Sequence, residues 1–360
     1  MDLKKIILSV FCFCACLCLL AQKNFPVKIS DFSPEFTAEI DLNQKDTIII
    51  GAFEEFRPEF VLKVSDKKTK KILIEAYLSD FPEYLINEQN EAIANVKELP
   101  YGSQSVLIYE DFNFDGRADF AIMNGYYSCY GGPSFDIYLT HKKSFQYSES
   151  FSVLSNEYCG MFQTEPETKT IHTMTKSGCC WHQFSEFKVM NNEPKVVLII
   201  EESYTANNFV EVTTIDYSDG KEVREIKNYF PLEVMESEII FSFDLAKSGK
   251  KLLVYQTGKI LNYALILNDE EIEFYFPQPD SHEKGDLTND GNFTYDMDEN
   301  TLSFKNTDAE YLIYETGDNV GIKVKTKGKT YNLKGLKSTV KGDLKELRKL
   351  NWDNILYDNF

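Results

Sequence analysis

Asp111, Asn113 and Asp115 stand on alternate positions, followed by Gly116 and then Asp119. This D-x-N-x-D-G-x-x-D spacing sends three side-chain oxygens to one point and gives the sharp turn at position 6 to glycine. The backbone carbonyl of Arg117 then falls at position 7 and Asp119 at position 9. A donor set made only of oxygens suits a hard cation, and the pattern predicts a calcium site built from Asp111, Asn113, Asp115, Arg117 and Asp119. Position 12, a bidentate Glu in a helix–loop–helix calcium site, is here Ile122. The flanks Val106–Tyr109 and Phe120–Met123 read as strands, so the loop belongs to a β protein. The plainer alternative is an acidic surface turn, because Asn, Asp and Gly are ordinary turn residues.

Behind the loop runs an aromatic, glycine-rich stretch, Asn124-Gly125-Tyr126-Tyr127-Ser128-Cys129-Tyr130-Gly131-Gly132-Pro133. Tyrosine presents a large area with little side-chain entropy to lose, which suits recognition of a protein surface. The alternative is a tight turn with its tyrosines packed inward. Four cysteines lie beyond the N-terminal leader, Cys129, Cys159, Cys179 and Cys180, and in an oxidising compartment they predict two disulfides. The expected connectivity joins Cys129 and Cys159 each to one of the adjacent pair, because a bond between neighbouring cysteines bends the backbone. A zinc site with His172 or His182 is the competing reading.

The segment Val106 to Tyr138, continued by Ser177-Gly178-Cys179-Cys180-Trp181-His182, resembles a family of secreted bacterial β-propeller proteins. In that family a calcium loop precedes a Tyr-Gly-Gly-Pro-Ser-aromatic strand, matched here by Tyr130-Gly131-Gly132-Pro133-Ser134-Phe135. The matching motifs fall within residues 57–200. The resemblance implies a five-bladed, calcium-binding propeller acting as a periplasmic immunity protein that inhibits a lysozyme-like peptidoglycan hydrolase. It also implies a loop tyrosine that enters the hydrolase cleft, matched to Tyr130, with Tyr126 and Tyr127 as alternates.

The elements that must hold these residues are strands. Residues 1–21 read as a signal peptide, with Lys4-Lys5 ahead of an apolar run from Ile6 to Leu20 and a small residue, Ala21, at the cleavage position. Cys14 and Cys16 leave a lipoprotein as the alternative. Removing Asp2, Lys4 and Lys5 takes the formal charge from −19 to −20, which disfavours nucleic acid and anionic membrane as partners. The protein is expected to be periplasmic or secreted and, once cleaved, not transmembrane.

Residues 22–235 show period-two patterning broken by Asn/Asp/Gly turns, the mark of an all-β chain, and are expected to form the propeller in four-strand groups. Phe36–Leu42 is expected to turn into Asp46–Ala52, and Phe145–Phe151 to run as one strand. Residues 236–360 read as a smaller β-sandwich or barrel domain, with Leu344, Leu347 and Leu350 at helical spacing near its end. Asp286, Thr288 and Asp290 imitate a second cation loop, but position 9 is Thr294. No nucleophile elbow, zinc-protease helix or phosphate loop is present. Among the four histidines, His182 is the best candidate for a hydrolase, and a packed histidine is the plainer reading.

Overall fold

The computed structural model describes residues 26–43, 47–50, 53–56, 59–79, 85–98, 102–142, 144–205, 208–267, 270–278, 292–349 and 351–358. The signal-peptide segment and the second acidic loop lie outside the described residues. The described chain is all-β apart from two α-helices, Glu149–Asn156 and Leu232–Met235, and short 3-10 turns. By compactness it divides into two units. The first reaches to Ser177 and adds Gln183–Ile199 and Tyr217–Gly220; the second takes Gly178–His182, Ile200–Asp216 and Lys221–Phe360.

Among the described residues, three sheets of four or more strands precede residue 230. The first orders its strands Ile72–Leu78, Glu59–Asp66, Phe36–Asn43, Val27–Ser30 and Glu91–Ile93, with the last pair parallel. Ile72–Leu78 alternates as a half-buried strand should, with Ile74, Ala76 and Leu78 inward and Glu75 and Tyr77 outward. The second sheet is an antiparallel meander of Ser144–Ser148, Ser134–His141, Asp119–Gly125 and Leu107–Glu110. Its strand Asp119–Gly125 is buried on both faces from Asp119 to Met123, which is why its sequence reads as a continuous apolar run. The third sheet takes Gln163–Glu165, Thr170–Ser177, Trp181–Met190, Glu193–Tyr204, Val210–Asp216 and Val223–Tyr229 in chain order.

The resemblance implies five four-stranded blades; before residue 235 the described residues form three sheets of four to six strands and a separate two-stranded hairpin, with strands as long as the 12 residues of Glu193–Tyr204. Phe36–Asn43 pairs with Glu59–Asp66, and Thr47–Ile50 closes on Phe53–Phe56 as a separate hairpin. The expected strand Phe145–Phe151 ends at Ser148, and a helix follows. Phe151 and Leu154 place their side chains one turn apart in the core, and the Ser152 hydroxyl accepts the Ile137 backbone N–H at 2.9 Å while donating to the Ser148 carbonyl at 2.7 Å. The helix is thereby stitched onto the strand Ser134–His141.

The second unit holds two further sheets. One runs Ile272–Phe276, Ile260–Ile266, Lys251–Thr257, Ile239–Asp244 and Lys341–Gly342; the other runs Lys329–Lys334, Asn319–Thr326, Ala309–Thr316, Thr301–Asn306, Phe293–Asp296 and Ile355–Asp358. They share one core that includes Phe241, Tyr263, Phe293, Tyr295, Phe304 and Trp352, and neither closes into a barrel. The helical spacing near the end becomes a 3-10 turn, Leu344–Arg348, with Leu344 and Leu347 buried; Leu350 lies outside the described residues.

Candidate functional site

The 111–119 loop is held from inside by an apolar anchor. Phe112 is fully buried and meets the ring of Phe162 edge-on at 5.4 Å. Around it the chain turns twice through the left-handed region, at Phe114 (φ 60°) and Gly116 (φ 87°), the second being the position that the motif reserves for glycine. Asp111 accepts the backbone N–H groups of Asp115 at 3.1 Å and Gly116 at 2.8 Å. Asn113 accepts from Asp115 N–H at 3.2 Å. Asp115 takes the Arg117 backbone N–H at 3.0 Å and its guanidinium at 2.7 Å. Partial burial pushes the Asp115 carboxyl up, but the hydrogen bonds and charge of Arg117 hold it below the usual range.

Asp119 closes the loop. It has no exposed surface, accepts Phe112 N–H at 2.9 Å and Thr140 N–H at 2.7 Å, and is the largest electrostatic liability of the loop. Burial raises its carboxyl to about 6, against the pull of the Thr140 and Phe112 N–H groups; the charges of Asp111 and Asp115 add to the rise. Among the described residues, no three His, Cys, Asp or Glu side chains gather as a metal cage. The donor set is nonetheless oxygen throughout, and each carboxylate keeps lone pairs beyond the bonds named. Its chemistry fits a hard cation such as calcium, which the Asp111, Asn113, Asp115 and Asp119 side chains and the Arg117 carbonyl would hold. Bound there, the ion would offset the Asp111 and Asp115 charges that add to the rise at Asp119 and would favour its ionised form.

The tyrosine-rich turn is the second feature. Asn124 is its hub: its carbonyl accepts the Ser79 backbone N–H at 3.1 Å and hydroxyl at 2.9 Å. Its side-chain amide donates to Asp136 at 2.7 Å, and its side-chain oxygen accepts from the Ser134 hydroxyl at 2.6 Å. Ser134 in turn accepts Tyr127 N–H at 3.1 Å. A Cβ on Gly125 would run into the Ser79 hydroxyl and the Tyr127 ring, so glycine is what lets the strand end this close to both. Cys129–Gly131 forms a 3-10 turn with Tyr130 at φ 55°. Tyr127 and Tyr130 are 63% and 67% exposed, Tyr126 is half-buried, and the Lys176 ammonium lies 5.2 Å from the centre of the Tyr130 ring.

The cysteines pair differently from expectation. Cys129 joins Cys159, and Cys179 joins Cys180. The backbone brings the first pair together, since Cys129 N–H reaches the Tyr158 carbonyl at 3.3 Å and Cys159 N–H the Met174 carbonyl at 2.8 Å. Cys179 and Cys180 sit on the exposed tip between the strands Thr170–Ser177 and Trp181–Met190. With all four sulfurs in disulfides, no thiolate is left for the zinc alternative. His172 faces Glu186 at 3.8 Å on a half-exposed strand. His182 is half-buried in the strand Trp181–Met190, with no hydrogen-bonded acid or nucleophile among the described residues. His282 lies outside them.

Two features had no signal in the sequence. The helix Glu149–Asn156 replaces a strand, and a cleft lined by lysines from distant segments opens between the first two sheets. No helix among the described residues is long and apolar enough to cross a membrane.

No protein-family model and no curated protein matches the chain. Among solved structures, a Xanthomonas type IV secretion system related protein aligns at 18% identity over 57% of this chain and 96% of that one, with a TM-score of 0.41. A putative 6-phosphogluconolactonase from Bacteroides uniformis aligns at 10% identity over 85% of this chain and 82% of that one, with a TM-score of 0.21. A quinonprotein alcohol dehydrogenase-like protein from Bacteroides thetaiotaomicron aligns at 12% identity over 89% and 97%, with a TM-score of 0.16. Scores this low carry no argument about what the chain does.

Proposed function

We propose that this is a secreted or periplasmic binding protein that blocks a peptidoglycan hydrolase with its tyrosine-rich turn. The observation that carries the reading is the presentation of Tyr127 and Tyr130. Two large aromatic side chains stand in solvent on a turn fixed by a disulfide at Cys129 and by the Asn124–Ser134 hydrogen bonds. An exposed aromatic on a rigid support loses little entropy when it enters a partner's pocket, which is the property of an interface anchor. The exposure of Tyr127 and Tyr130 supports this reading over one in which they pack inward. The likeness of Tyr130-Gly131-Gly132-Pro133-Ser134-Phe135 to the propeller immunity proteins supports the choice of hydrolase as partner, and Tyr130 is the side chain proposed to enter its cleft.

The same reading takes the antiparallel meander sheets as propeller blades and the 111–119 loop as a structural calcium site. Two disulfides suit an oxidising compartment. Tyr130→Ala tests the proposal: the substitution removes an exposed side chain, so it should leave the fold intact while abolishing inhibition of lysozyme-type hydrolases. An envelope carbohydrate- or protein-binding module without inhibitory action would bind a wall component and leave every hydrolase active.

A further inference from the structure

We infer that the cleft of about 1010 Å³ between the first two sheets is a binding site for an anionic saccharide, one or two sugar rings carrying carboxylate or phosphate. The cleft reverses the charge balance of the chain. Over the whole sequence 57 acidic residues face 38 basic ones, whereas the cleft is lined by five cations and two acids. The cations arrive from three separate places: Lys67, Lys68 and Lys71 from the hairpin tip after Glu59–Asp66, Arg117 from the end of the acidic loop, and Lys142 from the turn after Ser134–His141.

Two of the five are already fixed. Lys67 donates to the Ser33 carbonyl at 2.6 Å, and Arg117 is bound to Asp115 at 2.7 Å. Lys68, Lys71 and Lys142 form no ion pair among the described residues. Of the two acids, Asp66 is engaged by the Thr69 N–H and hydroxyl at 2.6 and 2.9 Å. An anion in the opening would be attracted by all three ammonium groups, which stand exposed on the hairpin tip and the turn.

The floor and walls set the class of anion. Phe36, Tyr109 and Phe145 form a half-buried aromatic floor around the buried Phe120, with ring centres 4.6 to 5.7 Å from it, a surface suited to the C–H face of a sugar ring. Hydroxyls of Ser33, Thr69, Thr140 and Ser144 stand around the floor and keep acceptor capacity for ligand hydroxyls. The size lies at the upper end for small-ligand sites. Nucleic acid is disfavoured because a long polyanion would meet the field of the whole acidic chain, whereas a short ligand within a Debye length, about 8 Å, meets the local lysines.

The mature protein should be titrated calorimetrically with glucuronic acid, glucose 6-phosphate, glucose and AMP, in wild type, Lys68→Gln/Lys71→Gln and Tyr130→Ala. The expected result is binding of one or both acidic sugars, the carboxylate and phosphate arms deciding which, and none of glucose. The lysine double variant should bind about tenfold or more weakly at an unchanged melting temperature, and Tyr130→Ala should bind like wild type. Failure of both acidic sugars, equal binding of glucose, tighter binding of AMP, or wild-type affinity in the lysine variant would overturn the assignment. A Lys142→Gln variant repeats the test should the double variant fold poorly. Since the hydrolase proposal rests on Tyr130, the two stand or fall separately.

Discussion

Asp119 accepts the backbone N–H of Thr140 at 2.7 Å, although 21 residues separate them. The last side chain of the acidic loop is therefore tied to the next strand of its own sheet, and the Thr140 hydroxyl returns the tie to the Ala118 carbonyl. The loop is part of the sheet's framework, and its charge state acts on stability.

That relation gives a pH dependence. In the folded protein the Asp119 carboxyl titrates at about 6, above its ordinary 3.8, so between these values the folded chain binds more protons than the unfolded one. Its contribution is then fully present below about pH 4 and is lost as pH rises through 6, a change on the order of 3 kcal/mol for this group. Chemical denaturation in EDTA between pH 4 and 7 should show this fall, and Asp119→Asn should remove it. A bound cation should flatten it, by stabilising the carboxylate.

Calcium should raise the melting temperature if the loop holds it. Stabilisation by mass action is about 2.7 kcal/mol at a hundredfold excess over the dissociation constant, and less for a millimolar-affinity extracellular site. Asp115→Ala should abolish the difference between calcium and EDTA, at a small cost of about 0–1 kcal/mol for the exposed pair with Arg117. Identical wild-type melting in both conditions would make the loop a turn only.

The two disulfides should behave unlike each other. Cys129–Cys159 closes a separation of 30 residues, and replacing both cysteines by serine should cost about 3–4 kcal/mol on chain-entropy grounds. Cys179–Cys180 constrains almost no chain and is exposed, so mild reductant followed by alkylation should label this pair first, with little change in melting temperature. Mass spectrometry of the unreduced protein should find no free thiol among the four.

Much of the fold was readable because half-buried strands keep a period of two. Along Ile72–Leu78 the side chains of Ile74, Ala76 and Leu78 are buried while Glu75 and Tyr77 are exposed, and the strand pairs antiparallel with Glu59–Asp66 across a short turn. Pairings between distant segments were not readable: Val27–Ser30 joins Glu91–Ile93 in parallel, and Phe293–Asp296 joins Ile355–Asp358, through strands of only three or four residues. Glu149–Asn156 carries three serines where a stronger helix former would have signalled itself. The cysteine pairing was not readable because the approach of Cys129 to Cys159 depends on backbone contacts between distant segments, such as Cys129 N–H to the Tyr158 carbonyl. The lysine cleft was invisible because its members lie from 67 to 142 and only the sheets bring them to one opening.

Tyr130 is the proposed anchor of an inhibitory surface. The most direct measurement is inhibition of a panel of lysozyme-type peptidoglycan hydrolases by the mature protein, wild type beside Tyr130→Ala, with melting curves for both. Wild type should inhibit at least one hydrolase, and Tyr130→Ala, melting at the same temperature, should lose that inhibition by about a hundredfold, the scale of a hot-spot residue at about 2–4 kcal/mol. Undiminished inhibition by Tyr130→Ala, or no hydrolase inhibited by wild type, would contradict it.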